Sequence, residues 1–308
     1  MTDISIVIPA FNEKDSLKEL FLRIQQALQP TGYSHEILIV DDGSNDGTLQ
    51  ELHELKNSYP CLKAVSFRKN YGKSAALAVG FKSVQGRYVV TMDADLQDDP
   101  AEIPGMIEQL ESGYDLVSGW KKVRHDPISK TVPSRFFNFV TARMTGIRLH
   151  DFNCGLKAYR REVVEDMEVY GELHRFLPVL AHWNGYRVGE KVVKHHARKF
   201  GKTKFGVSRF FNGFLDLLTV IFITRYKTSP LHIFGMLGLF TFLIGFAIEF
   251  YLTILWLMGE GIGRRPLFFL GILTIIVGIQ FIVFGLLGEM ISANFAERLD
   301  YSIRDRIE

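Results

Sequence analysis

Ile4-Ser-Ile-Val-Ile-Pro9, Glu36-Ile-Leu-Ile-Val-Asp41 and Arg87-Tyr-Val-Val-Thr-Met92 are short apolar runs, and what lies between them decides the fold. After the first run, Ser16 to Gln29 carries Leu17, Leu20, Phe21, Ile24 and Leu28, the spacing of one buried helix face. The second run leads into a helix over Thr48 to Leu55. Leu62 to Phe67 then reads as a further strand with a helix over Ser74 to Val84 behind it. The run ending at Met92 precedes another helix, Ala101 to Leu110. Strands alternating with helices predict βαβ units, hence an α/β domain with a mainly parallel, Rossmann-like sheet. Such sheets take ligands beyond the carboxyl ends of their strands. The acids collect at those ends: Glu13 after the first strand, Asp41 and Asp42 after the second, Asp93 and Asp95 after the fourth.

Met92-Asp-Ala-Asp-Leu-Gln97 carries the chemistry. An extended chain places the carboxylates of Asp93 and Asp95 on one side, roughly 7 Å apart at two residues' rise. Paired anionic oxygens repel unless a cation stands near them, and hard oxygen ligands suit Mg2+ or Mn2+ bridged to a diphosphate. The amide oxygen of Gln97 completes the expected metal set. By itself Asp-x-Asp also serves as a helix cap or a solvated turn, so its neighbours decide. In Val40-Asp-Asp-Gly-Ser-Asn-Asp-Gly-Thr48 the glycines supply turns and Thr48 is expected to cap the next helix. A turn does not require two acids, and Asp41 and Asp42 suit a base N–H or ribose hydroxyls. Glu13 in Pro9-Ala-Phe-Asn-Glu13 is a candidate for the same nucleoside. Arg68, Lys69 and Lys73 suit phosphate, or a solvated basic loop.

The 308 residues carry a formal charge of +2, which makes no case for nucleic acid. The two cysteines, Cys61 and Cys154, lie in no metal-ligand spacing and are expected as reduced thiols. No secretory signal is read at the start of the chain. Leu231 to Met258 and Leu267 to Leu287 are almost wholly apolar, and each exceeds the roughly 20 residues that cross a bilayer as a helix. The short link Gly259 to Pro266 makes them a hairpin. Arg209, Arg225 and Lys227 before it and Arg298, Arg304 and Arg306 after it outweigh Arg264 and Arg265 in the link, which predicts cytoplasmic chain ends. Val132 to Met144 and Val207 to Ile223 are aromatic-rich and amphipathic, suited to packing on the domain or lying in the bilayer interface. The expected organisation is a catalytic domain over 1–206, a juxtamembrane helix over 207–229, two membrane helices (231–258 and 267–287) within 230–290, and a cytoplasmic tail over 291–308.

P-A-F-N-E, V-D-D-G-S-N-D-G-T, R-K-N-Y-G-K-S-A-A and M-D-A-D-L-Q-D-D-P, in this order and spacing, resemble glycosyltransferase family two with the GT-A fold. S-G-W-K-K, D-F-N-C-G-L-K-A-Y-R-R, L-H-R-F-L-P and the terminal helix pair narrow the resemblance. They look like polyprenyl-phosphate glycosyltransferases, the dolichol-phosphate-mannose-synthase-like group, nearest to bactoprenol glucosyltransferases. The resemblance implies a nucleotide-sugar site of Pro9, Ala10, Phe11, Glu13, Asp41, Asp42, Arg68, Lys73, Asp93 and Ala94, with Asp95 and Gln97 on the metal beside Asp93. It implies acceptor-phosphate contacts at Lys130 and Ser134, and Lys121, Arg124, Arg135 and Arg175 are further candidates on charge. Ala197-Arg-Lys-Phe-Gly-Lys-Thr-Lys204 resembles the family's R-x-x-G-x-S-K loop, with Thr203 in place of Ser, and points to Arg198 and Lys204 as catalytic cations on the diphosphate. Their rival reading is a juxtamembrane basic patch for anionic lipid.

The expected reaction is an inverting transfer of a hexose, glucose from UDP-glucose first, to polyprenyl (undecaprenyl) phosphate at the cytoplasmic membrane. GDP-mannose is the alternative donor, and a nucleotide-sugar sensor without turnover the non-enzymatic one. A phosphate monoester is already largely dianionic near neutral pH, so Asp151 and His174 are not required as bases. Asp151 is expected to orient the donor sugar or balance the basic cluster. A nucleotidyltransferase would want a Gly-rich phosphate loop after the first strand, and a processive synthase a Q-x-x-R-W motif. Neither occurs. Glu249, an acid inside the first apolar span, hints at a partner, and the hairpin is a candidate surface for homo-oligomers.

Overall fold

The computed structural model describes residues 2–122, 128–167, 169, 171, 173–197, 215, 217, 219–220, 222, 229–262 and 265–296, with backbone alone at 128–133, 135 and 293–296. The chain divides into two compact units, Met1–Val220 and Ile221–Glu308.

The first unit is built on a sheet of β1 (Ile4–Ala10), β2 (His35–Asp41), β3 (Leu62–Ser66), β4 (Tyr88–Thr91), β5 (Leu116–Trp120), β6 (Lys157–Arg160) and β7 (Val188–Val192). Their order is β3-β2-β1-β4-β6-β5-β7. Only β6 runs antiparallel to its neighbours, so the mainly parallel sheet expected from the alternating runs is present. Period-two side-chain alternation divides β1 between two cores. Ile4, Ile6 and Ile8 pack with α1 (Lys14–Leu28), α2 (Thr48–Ser58) and α4 (Ile103–Glu111). Val7 faces the opposite layer of α3 (Lys73–Ser83), α6 (Arg161–Glu165) and α7 (Leu177–Trp183). The stripe Leu17, Leu20, Phe21, Ile24 and Leu28 on α1 is buried as its spacing predicts. From β1 the chain moves outward to β2 and β3 and returns to β4 on the other side of β1. The crevice at the carboxyl ends of β1 and β4 is therefore the sheet's switch point.

The sequence did not resolve β5, β6 and β7, nor the full length of α5 (Ile128–Thr145). On α5, Asn138, Thr141 and Thr145 are buried and Phe137 lies 5.9 Å from Phe176, while Phe136 and Phe139 are 59% and 69% exposed. The helix thus packs one face on the domain and turns an aromatic face outward.

The second unit pairs α8 (Pro230–Leu257) with α9 (Pro266–Ala296), two helices long and apolar enough to cross a membrane, with most of their side chains facing outward. Glycines let the backbones approach. A Cβ on Gly238 would stand 2.7 Å from the Gly278 carbonyl oxygen, and one on Gly245 2.8 Å from that of Gly271. Gly285 continues the seven-residue spacing of Gly271 and Gly278, and its Cβ would meet Leu231. At the start of α8, Glu289 accepts the Leu231 N–H at 3.2 Å, which satisfies a first-turn amide and complements the helix dipole.

Candidate functional site

The loops after β1 and β2 are laced together. Asn12, in the left-handed region at φ 58°, accepts the Asn45 N–H at 2.9 Å and gives its own N–H to Ser44 Oγ at 2.9 Å. Glu13 N–H donates to Thr48 Oγ1 at 3.1 Å. Thr48 is therefore no helix cap, contrary to expectation: Gly47 holds that place, and the hydroxyl ties the two loops. Gly43, at φ 71°, is required because a Cβ there would lie 2.5 Å from the Lys69 backbone. This lacing holds Pro9, Ala10, Phe11, Glu13, Asp41 and Asp42 at one edge, beside β3 and the loop that carries Arg68.

Asp41 and Asp42 are 1% and 4% exposed. Asp41 accepts the Ser44 N–H at 3.1 Å and the Ser66 hydroxyl at 2.7 Å. Asp42 uses both oxygens on loop amides, Tyr71 N–H at 2.6 Å and Gly72 N–H at 2.9 Å. Those two bonds pin the turn from which α3 starts and so place Lys73, which ion-pairs with Asp93.

β4 ends at Thr91, so strand alternation does not set the Asp93–Asp95 geometry as expected. The two acids lie in the turn that follows, where Leu96 takes φ 62° with its side chain buried in the core. A left-handed leucine costs roughly 1–2 kcal/mol, which its burial offsets. Asp95 accepts the Gln97 N–H at 3.2 Å. Behind them stands Asp98, 1% exposed, which accepts the Asp93 N–H at 3.3 Å and pairs with Lys121 at 3.0 Å. Lys157, 3% exposed, donates to the Cys154 carbonyl oxygen. Burial pushes the Asp93 carboxyl up, but Lys73, then Lys121 and Lys157, outweigh it and hold the group well below the usual carboxylate range. Burial works against the Lys121 charge too, yet Asp98 and its acidic surroundings raise its affinity for the proton. Burial lowers that of Lys157 and pushes the Cys154 thiol up to about 12. Gly155 keeps this corner clear: a Cβ there would fall 2.6 Å from Asp93 Oδ2.

Further along the carboxyl edge, Glu190 of β7 accepts the N–H groups of His150 at 2.9 Å and Asp151 at 3.0 Å, and its other oxygen lies 2.7 Å from His150 Nδ1. His150 stacks on Trp120, the last residue of β5, at 4.0 Å. Asp151, 1% exposed, accepts the Asn153 N–H at 3.0 Å. Across the edge, Ser74 of α3 meets His174, which precedes Arg175. Burial, then Lys73 and Arg175, bring the His174 imidazole down to about 2, so it is neutral.

The structure thus brings Lys73, Asp93, Asp95, Gln97 and Lys121 together, with Asp151, Ser134 and Arg175 in the same unit. Arg124, Arg198 and Lys204 lie outside the described residues, as do the side chains of Lys130 and Arg135 and most of 207–229 and 291–308. Asp98, Lys157, Glu190 and Ser74 escaped the sequence reading. The extra acid in D-A-D-L-Q-D was the available signal for Asp98, and Lys157, which opens the four-residue strand Lys-Ala-Tyr-Arg, gave none.

Among the described residues no three His, Cys, Asp or Glu side chains form a ready cage for a metal. The oxygen set of Asp93, Asp95 and Gln97 nevertheless suits Mg2+ or Mn2+, which take one or two carboxylates and fill the remaining positions with phosphate and water.

Residues 5–168 match the profile of Glycosyl transferase family 2. The chain belongs to this family. It is 38% identical over 299 residues to a dodecaprenyl-phosphate galacturonate synthase of Rhizobium johnstonii, covering 95% of this chain and 88% of the relative. It is also 38% identical over 293 residues to an undecaprenyl-phosphate 4-deoxy-4-formamido-L-arabinose transferase of Klebsiella pneumoniae, covering 94% and 88%. Among solved structures, glucosyl-3-phosphoglycerate synthase from Mycobacterium tuberculosis, in complex with Mn2+ and UDP-glucose, shares the fold with a TM-score of 0.54 at 19% identity, over 72% of this chain and 78% of that one. The family-2 chain described here is thus a glycosyltransferase with the GT-A sheet.

Proposed function

We propose that this glycosyltransferase moves a sugar from a nucleoside-diphosphate donor to a polyprenyl phosphate at the cytoplasmic face of the inner membrane, inverting the anomeric carbon. The observation that carries the reading is the acidic turn after β4, at the switch point, with Lys73 on Asp93 and Lys121 on Asp98. The polyprenyl-phosphate acceptors named for both relatives, and α8 and α9, support a lipid acceptor.

In this reading Pro9, Ala10, Phe11, Glu13, Asp41, Asp42 and Ala94 surround the nucleoside, and Arg68 and Lys73 meet the diphosphate. Asp93, Asp95 and Gln97 hold Mg2+ or Mn2+, which when bound neutralises charge on the leaving diphosphate. The solved neighbour with Mn2+ supports a divalent ion. Arg198 and Lys204 stabilise the same developing charge, and Asp151 orients the donor sugar. Arg175, Arg124, Lys130, Ser134 and Arg135 receive the acceptor phosphate, with Lys121 acting through Asp98. The dianionic acceptor oxygen attacks without a general base, so His174 has no proton to move.

UDP-glucose is the first candidate donor. The relatives act on a galacturonate and a formamido-arabinose, which makes the sugar the open part of the proposal. The test offers labelled UDP-glucose, UDP-galacturonate, a UDP-linked amino-pentose and GDP-mannose with undecaprenyl phosphate to the purified chain. A labelled polyprenyl-phosphate sugar from one donor is expected. Nucleotide release independent of lipid, or tight donor binding without release, would overturn it.

A further inference from the structure

Lys73 and Arg175 lie far apart in the chain, yet the residues beside them touch. Ser74 follows Lys73, His174 precedes Arg175, and the two meet across 100 residues of sequence. The Ser74 hydroxyl oxygen accepts the His174 backbone N–H at 3.2 Å and stands 3.0 Å from its Nδ1. The hydroxyl keeps its own proton to give, and in the tautomer protonated at Nε2 the His174 Nδ1 accepts it. Ser74 is 1% exposed in the first turn of α3, so its position is fixed by the helix. On its other side Lys73 is held by Asp93.

We propose that the Ser74–His174 pair is a positioning clamp that sets Arg175 against Lys73, and so sets the acceptor phosphate against the donor diphosphate. The inference rests on the function proposed above, in which these two cations meet those two groups. It accounts for a histidine that the chemistry does not need as a base. A charged imidazolium would stand between cations and lose the acceptor at Nδ1, which agrees with the low proton affinity that burial, Lys73, Arg175 and Lys157 impose. A rigid spacing matters because misplacing reacting groups by about 1 Å can cost on the order of a hundredfold.

The test compares Ser74→Ala, His174→Ala, His174→Asn and Arg175→Ala in the full chain, with kinetics for each substrate and calorimetric binding of UDP. His174→Ala loses the side-chain bond and Ser74→Ala loses that bond and the backbone one, which predicts a rise in KM for polyprenyl phosphate of about tenfold in His174→Ala and at least as large in Ser74→Ala, with UDP affinity within about twofold of the parent in both. His174→Asn keeps an acceptor near the Nδ1 position and is expected to recover most of the loss. The parent's kcat should show no ionisation at roughly pH 6.5, where an ordinary histidine titrates. Unchanged acceptor KM in Arg175→Ala would overturn the role given to Arg175, and with it the clamp's purpose. A raised KM in Arg175→Ala with parental values in Ser74→Ala and His174→Ala would overturn the clamp alone. A fall in kcat of about a thousandfold or more in His174→Asn, with loss of one limb of the pH profile, would make His174 a general base instead.

Discussion

Asp42 and Asp93 are strand-end acids of the same reading, and the fold uses them differently. Asp42 holds two loop amides, and removing it strands both. The net loss per hydrogen bond is about 0.5–1.5 kcal/mol, somewhat more to a charged acceptor, so Asp42→Ala should lower the thermal midpoint of the catalytic unit and loosen Lys73. Thermal unfolding followed by near-UV circular dichroism checks this, and a parental midpoint would contradict it. Glu36 offers a pH test. It is 5% exposed and accepts from Ser5, Lys63 and the Gln85 N–H. Burial raises its pKa, but Lys63, Ser5 and Gln85 together bring it below the usual value. A depressed folded pKa means stability that is present above the ordinary carboxylate range and lost as pH falls through the folded value. The parent should therefore lose more of its midpoint between neutral and acidic pH than Glu36→Gln, measured by the same scan. The sequence disclosed which residues were acids, because charge at a strand end is visible in one dimension. It did not disclose that Asp42 serves the backbone or that Asp98 stands behind Asp93, because both depend on loops meeting across the sheet.

At the scale of elements, periodicity carried most of the information. The strands β1 to β4 announced themselves as short apolar runs, α1 through its 3.6-residue stripe, and α2 to α4 as the stretches between the runs. From β5 onward the strands did not, since β6 is four residues and β7 holds Glu190 and Lys191 among its apolar positions. The hairpin's lengths were legible, but its glycine register was not read. A Cβ on Gly278 would lie 2.6 Å from the Phe242 nitrogen, whereas one on Gly261 meets nothing within 4 Å. Overpacking of this kind costs about 1–3 kcal/mol. Gly278→Leu should thus lower the temperature at which the detergent-solubilised protein aggregates, while Gly261→Ala leaves it unchanged. Equal midpoints for the two variants would show that the contact does not hold α8 to α9.

For the whole molecule, a family-2 sheet with an acidic turn at its switch point and a chain that carries two helices long and apolar enough to cross a membrane suit a donor in water and an acceptor in lipid. The central claim is that the acids after β4 grip a divalent cation and the donor diphosphate during that transfer. Its most direct measurement is transfer of labelled sugar to undecaprenyl phosphate by the purified protein, with Mg2+ or Mn2+, with chelator, and with Asp95→Ala. The account predicts glycolipid product with either ion, none with chelator, and a fall of about a hundredfold or more in Asp95→Ala that retains the parental circular dichroism spectrum. Full-rate transfer under chelation, or an Asp95→Ala protein as fast as the parent, would contradict it.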